Sequence, residues 1–451
     1  MKLTHPLESK YPNLNYLTMR FQAVTTIGLV TSFLSFSAAT DRVLRDGSPD
    51  SVGLLPEPLR QMQMNLSQYT RPANYGSHSY DEVHPILPGG SVIVGHKATV
   101  VSSFAFGNAS LYADANGTLL PPSAWVSTKM DTIYDMASLT KIFTAITVLR
   151  VIDDGKLDLH KPVASYIPEF ATNGKDNVTV LMLLTHTSGF PPDPEPGLYD
   201  PSYENMQQRI EAIILHKLVN PPGSTYTYSD LNFMNLRFML EKITGTPFED
   251  LVHSWTRSLG MTCTFFNKGN IGADSLEYYS RMAPTEYQIE VLGSSEPKRP
   301  QPVRGTVHDE NAWALDGVSG HAGLFASASD VSTLCQMVLN NGTYNGKRIL
   351  TARSVDLMFT NFNEKFPGDE HGVGFELNQS YFSGPMANIQ AGGHTGFTGT
   401  SLVVDRASDT FMVLLAHAVH PNRTWSSNNI VRQALGYWVA RSLGRDVTFP
   451  L

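Results

Sequence analysis

Apolar positions alternate with small and polar ones in two stretches far apart in the chain. Residues 88–96, Pro-Gly-Gly-Ser-Val-Ile-Val-Gly-His, begin a strand, and residues 98–107 read as its hairpin partner. The other stretch comes late, where 399–404 and 410–417 are apolar runs around the turn Asp405-Arg-Ala-Ser-Asp409, an antiparallel pair. Between them the period changes to 3.6. A helix is predicted over 138–154, apolar at Ile142, Ala145, Ile146, Leu149 and Ile152 and stopped by Gly155. Residues 157–170 form a short Pro-bounded segment, and helices are predicted over 178–185, 231–244 and 248–259. A closing helix spans 425–443. Strands at both ends thus flank a helical middle, without the regular β-α-β alternation of a doubly wound or barrel fold. The fold class implied is α/β (α+β), a sheet assembled from both termini with a mainly helical subdomain inserted over roughly 156–315. No internal repeat or low-complexity stretch interrupts it.

Composition narrows the function classes. The 451 residues are 41% hydrophobic and 16% charged, as in a large globular protein, and the net charge of −8 offers no basic footprint for nucleic acid. Residues 21–39 carry no charge, follow Met19-Arg20 and end in Ser37-Ala38-Ala39, a pattern read as a secretory signal peptide cleaved after Ala39. The long polar stretch ahead of Met19 leaves two alternatives open: a start at Met19, or an uncleaved signal anchor that would tie the protein to a membrane. Export is also the expectation from the sequons at Asn65, Asn108, Asn116, Asn177, Asn341, Asn378 and Asn422. The localisation expected is therefore secreted, with residues 40–451 as the working domain. Cys263 and Cys335 are too few for a disulfide framework or a four-ligand zinc site, and are read as structural whether or not they pair.

The chemistry begins at Ser138-Leu-Thr-Lys141. A serine hydroxyl is a weak nucleophile until a base takes its proton, and residues three apart on a helix share a face, so the Lys141 amine reaches Ser138. Three further segments follow: Leu184-Thr-His186-Thr187-Ser188-Gly189, then Tyr226-Thr-Tyr228-Ser229-Asp230, then Gly392-Gly-His394-Thr395-Gly396-Phe397-Thr-Gly399. With these residues in this order, the chain resembles the serine β-lactamase and penicillin-binding-protein superfamily, especially the branch near class C enzymes and their esterase relatives. The resemblance covers roughly residues 88–436, and implies an antiparallel sheet flanked by helices. It implies Ser138 as nucleophile, Lys141 as its base, and Tyr228 as the group that moves a proton to the leaving group and later activates water. The implied oxyanion hole is the backbone N–H of Ser138 and of Phe397, with Gly396 allowing close approach at a strand edge.

Two departures from the superfamily pattern shape the expected substrate. Asp230 stands where many members have Asn, and a carboxylate there favours a charged Lys141, shifting base duty toward Tyr228. His394 replaces the lysine that holds a substrate carboxylate in the antibiotic-targeted enzymes, which points to neutral esters or amides. The expectation is a serine hydrolase acting through an acyl-enzyme on a small-molecule ester or amide, without cofactor or metal. Alternatives are an acyltransferase of natural-product biosynthesis and a non-catalytic scaffold. Tyr226 is read as a packing aromatic, and His186 with Thr187 and Ser188 as a hydrogen-bonding cluster at a helix end. His308, Asp309, Glu310 and His321 lie in a further signature of the subgroup, with spacing unlike a metal site.

Overall fold

The computed structural model describes residues 41–272, 275–288 and 299–449. The segment read as a signal peptide, 1–39, lies outside the described residues. An eight-stranded sheet is built from the two ends of the chain. The N-terminal part supplies β1 (Arg45–Asp46), β2 (Gly89–His96) and β3 (Thr99–Ser110); the C-terminal part supplies β4 (Glu376–Leu377), β5 (Ala391–Thr395), β6 (Ser401–Asp405) and β7 (Thr410–Ala416). Their order is β1-β3-β2-β7-β6-β5-β4, with the short strand Val126–Ser127 paired to β3. The seam between the halves is the antiparallel pair β2–β7, in register Ile93 to Val413.

Both central strands are buried along their whole length, and their period of two sorts side chains onto two faces. Val92, Val94, Met412 and Leu414 face one core with Leu59, Met62 and Leu66 of α1 (Pro56–Gln68). Ile93, Phe411, Val413 and Leu415 face the other core. That second core holds α2 (Thr140–Asp153), α3 (Asp230–Thr244) and α4 (Ala328–Leu339). The closing helix α5 (Asn429–Ser442) joins α1 on the first face. The fold is thus a mixed α/β architecture with a central sheet between helices.

The hairpins and α2 lie where the periodicity placed them, although α2 is preceded by a 3-10 turn, Ala137–Leu139. The closing helix starts at Asn429 rather than residue 425. Two elements carry no clear sequence signal. Helix α4 buries Asp330, Ser332 and Gln336 together with its apolar residues, which blurs any amphipathic stripe. Strand β5, Ala-Gly-Gly-His-Thr, has few strand-forming side chains and is held by its ladders to β4 and β6. Both cysteines are free thiols, Cys335 within α4 and Cys263 half-buried. Among the described residues, no helix is long and apolar enough to cross a membrane.

Candidate active site

Ser138 sits half-buried in a turn that the surrounding chain fixes at many points. Ala137 just before it has φ of 46°, a left-handed conformation uncommon for a residue with a Cβ. Buried Asp135 stabilises that turn: its Oδ1 accepts from Ala137 N at 2.8 Å and its Oδ2 from His308 N at 2.6 Å. The hydroxyls of Thr398 and Thr400 donate to the carbonyls of Asp135 and Met136. Strain at one residue persists because neighbours over-determine the backbone there, as at many functional sites.

Lys141 is wholly buried on the first turn of α2. Its Nζ lies 3.0 Å from Ser138 Oγ, 3.3 Å from the carbonyl of His321 and 2.6 Å from Asp230 Oδ1. Nζ thus donates to the Ser138 hydroxyl and the His321 carbonyl, and Asp230 supplies its countercharge. Asp230 is placed by the start of α3, where its N–H donates to Pro192 O. The Tyr228 hydroxyl hydrogen-bonds Ser138, and Lys141 Nζ lies 4.7 Å from the centre of its ring. Burial, and then the Asp230 charge, hold the Tyr228 phenol well above its ordinary pKa. Asp230 therefore acts on both groups, pairing with Lys141 and raising the Tyr228 phenol.

The expected cluster at His186 is present and supports this loop. Ser229 N donates to His186 Nδ1 at 3.0 Å, Thr227 N donates to the His186 carbonyl, and Ser188 Oγ donates to Asn232 on α3. Tyr226 packs its ring against His186 and His371, as read, and also lines a cavity beside Ser138.

His394 lies on β5. Its Nδ1–H donates to Thr395 O at 2.6 Å, leaving Nε2 as the lone-pair nitrogen. Burial, reinforced by the Lys141 charge, lowers its pKa to about 3, so the imidazole is neutral. Gly396 is required by the protein's own packing rather than by an approaching substrate. A Cβ there would stand 2.1 Å from Thr400 Oγ1 and 2.5 Å from Met136 O. Its absence lets β5 close against the Ser138 turn. Phe397 follows with 60% of its surface exposed; its ring stacks on His308 at 5.8 Å, and the Arg423 guanidinium lies 5.6 Å from the ring centre.

Two cavities open on Ser138, Tyr228 and Phe397. One, of about 410 Å³, runs along β5 past Tyr226, Asp369, Glu376, Tyr381 and His394. The other, of about 510 Å³, is walled by Asp193, Asp230, His308, Asp309, Glu310 and Arg423. The histidine- and acid-rich subgroup signature thus finds a place as the second cavity's wall. Asp309, His321 and Asp230 offer ligand atoms within 4.8 Å of one another. Those atoms already have partners, since His321 Nε2 bonds Asp309 Oδ1 at 2.9 Å and Asp230 pairs with Lys141. Nearby, Arg423 bonds both Glu286 and Glu310. Against burial, which would raise it, His308 and Arg423 hold the Glu286 carboxyl down at about 2. Asp135, Glu376, Tyr381, Glu286 and Arg423 were not found by motif reasoning. Only Asp135, three positions before Ser138, lies near enough to a motif for spacing to have signalled it.

The family model described as Beta-lactamase matches residues 83–437. The chain belongs to the β-lactamase family. This is a family of serine hydrolases, and small-molecule substrates fit it. A relative from Escherichia coli K12 named "Putative D-alanyl-D-alanine carboxypeptidase" is 32% identical over 421 residues, covering 87% of this chain and 90% of the relative. A penicillin-binding-protein homologue from Caulobacter crescentus superposes with a TM-score of 0.61 at 18% identity, covering 86% of this chain and 99% of its own. EstCE1, "a hydrolase with promiscuous acyltransferase activity", superposes at 0.60 with 19% identity, covering 84% and 99%. These two structural likenesses show the fold.

The predicted residues Ser138, Lys141, Tyr228, Asp230, His394 and Phe397 converge on one site, with Gly396 packed behind it. The predicted glycosylation sites lie elsewhere. Asn116, Asn177 and Asn378 are exposed, and Asn65, Asn108, Asn341 and Asn422 are partly so.

Proposed function

We propose that this protein is a serine hydrolase that forms an acyl-enzyme at Ser138 on an ester or amide. The observation that carries the reading is the contact of Lys141 Nζ with both Ser138 Oγ, at 3.0 Å, and Asp230 Oδ1, at 2.6 Å. A lone pair arises on Nζ when one proton passes to Asp230; the amine then receives the Ser138 proton as Oγ attacks the carbonyl. The Tyr228 hydroxyl gives its proton to the leaving group. The tyrosinate, a strong base in this buried site, then takes a proton from the attacking water. As the acyl bond breaks, Lys141 returns the proton to Ser138 and recovers its own from Asp230. The backbone N–H groups of Ser138 and Phe397 are assigned to the developing oxyanion. Mass spectrometry of the Ser138 peptide after reaction with p-nitrophenyl butyrate tests the reading. A butyryl adduct on wild type and none on Ser138→Ala is expected, and no adduct on wild type overturns it.

Acyl transfer is the second reading, favoured by the two cavities meeting at Ser138, which give an acyl group and an acceptor separate places. Added alcohols that never yield a transferred ester would remove it. The proposed setting is outside the cell, with glycans on the seven sequons. N-terminal sequencing of the exported protein should then begin at Thr40, and recovery of residues 1–39 would refute cleavage.

A further inference from the structure

We propose that the cavity along β5 binds a protonated amine of the substrate, held between the Glu376 carboxylate and His394 Nε2. The inference rests on reading this cavity as the substrate site and adds the charge class of what enters it.

Glu376 and His394 are 8% and 2% exposed, and both line the cavity. Strand pairing sets them together, because Glu376 on β4 lies opposite Gly393, next to His394 on β5. Glu376 Oε2 accepts from the Tyr381 hydroxyl at 2.7 Å, while Oε1 faces His394 Nε2 at 3.5 Å. His394 Nε2 itself has no hydrogen-bond partner among the described residues. Its proton is on Nδ1, committed to Thr395 O, so Nε2 can only accept. Two acceptor atoms thus lie 3.5 Å apart at the cavity wall, close enough for one donor with more than one N–H to bridge them.

Charge points the same way. Among the described residues, the cavity wall carries Asp369, Glu370 and Glu376 and no lysine or arginine. The cations that act on Glu376 are Lys141 and Arg432, and both are engaged. Lys141 pairs with Asp230, and Arg432 Nη2 donates to the carbonyls of Gly396 and Thr400. A substrate carboxylate in this cavity would meet three acids and no free cation. An ammonium would meet its countercharge, and the rings of Tyr226, Tyr228 and Tyr381 would cover its alkyl stem.

The test uses Ser138→Ala, which removes turnover and keeps the cavity wall, with three probes of one length: hexylammonium, 1-hexanol and hexanoate. Calorimetry at pH 8 should give dissociation constants in the order hexylammonium, hexanol, hexanoate, with at least tenfold between the first and last. Glu376→Gln in the same background should weaken hexylammonium at least tenfold, and His394→Lys should reverse the order. Hexanoate binding as tightly as hexylammonium, or a preference that survives Glu376→Gln, would overturn the inference. The Ser138 adduct on wild type is read separately. Its absence would overturn the acyl-enzyme while the binding order still judged the amine site.

Discussion

The two sides of the active site treat their buried ionisable groups in different ways. On the Lys141 side most charges have a countercharge: Lys141 with Asp230, His321 with Asp309, and Arg423 with Glu286 and Glu310; Asp193, with no ion pair among the described residues, is raised to about 6 by burial and then by the Asp230 charge. On the β5 side His394 and Glu376 have none, and burial drives each toward its neutral form, His394 down to about 3 and Glu376 up to about 7. A buried charge is tolerated when paired and hydrogen-bonded; an unpaired group shifts its pKa instead. The paired side therefore holds its groups in place at rest. The unpaired side holds a polarity that only a ligand completes.

Breaking the paired side should have the largest effect. Lys141→Met removes the group proposed to receive the Ser138 proton and strands Asp230. Ester turnover should fall by about 10³-fold or more, and the Ser138 adduct should disappear from the mass spectrum. Turnover near wild type would remove Lys141 from the mechanism. Arg423→Met removes the cation that bonds both Glu286 and Glu310, leaving His308 beside Glu286 and Arg299 beside Glu310, and frees Phe397. We expect a loss of about 3–5 kcal/mol in urea unfolding, the usual cost of breaking a buried pair from one side. A loss below about 1 kcal/mol would mean that the network is solvated.

The pH dependence of stability should separate the two sides by sign. Glu286, held at about 2 against an ordinary 4.5, stabilises the fold fully above pH 4.5 and loses that contribution as pH falls toward 2. Glu376 runs the other way. Between pH 4.5 and about 7 the unfolded chain releases this proton while the folded protein keeps it, so stability falls as pH rises, by about 3 kcal/mol in all. Above pH 7 the contribution is level. Urea midpoints across pH 4 to 8 should show the falling limb in wild type and lose it in Glu376→Gln; an unchanged limb would place its origin elsewhere. The smallest effect sharpens the comparison from outside the site. Arg60 and Glu57 form an ion pair on the exposed face of α1, and Arg60→Ala should alter stability by less than about 0.5 kcal/mol. A larger change would show that pairing matters here without burial.

Motif order made part of this site legible. Ser138 and Lys141 are local partners on one helical turn, and Tyr228-Ser229-Asp230 and His394-Thr395-Gly396 carry the residue types that acyl transfer needs. The hairpins were legible for a similar reason, since β2 and β7 alternate strongly. Strand β5 was not, because its Ala-Gly-Gly run is extended only through the ladders on either side. Glu376 was equally silent. Nothing near it in sequence distinguishes a surface glutamate from one that is 8% exposed beside His394.

The sequence by itself determined the Ser138–Lys141 pair, the tyrosine loop and a sheet made from both chain ends, because these depend on short-range spacing and periodicity. Only the tertiary structure decided the state in which those groups work. The Asp230 contact with Lys141 spans 89 positions; Asp135 holds the Ser138 turn by reaching His308; and Glu376 meets His394 through strand pairing. Charge state follows from burial and from partners distant in sequence, and both exist only once the chain has folded.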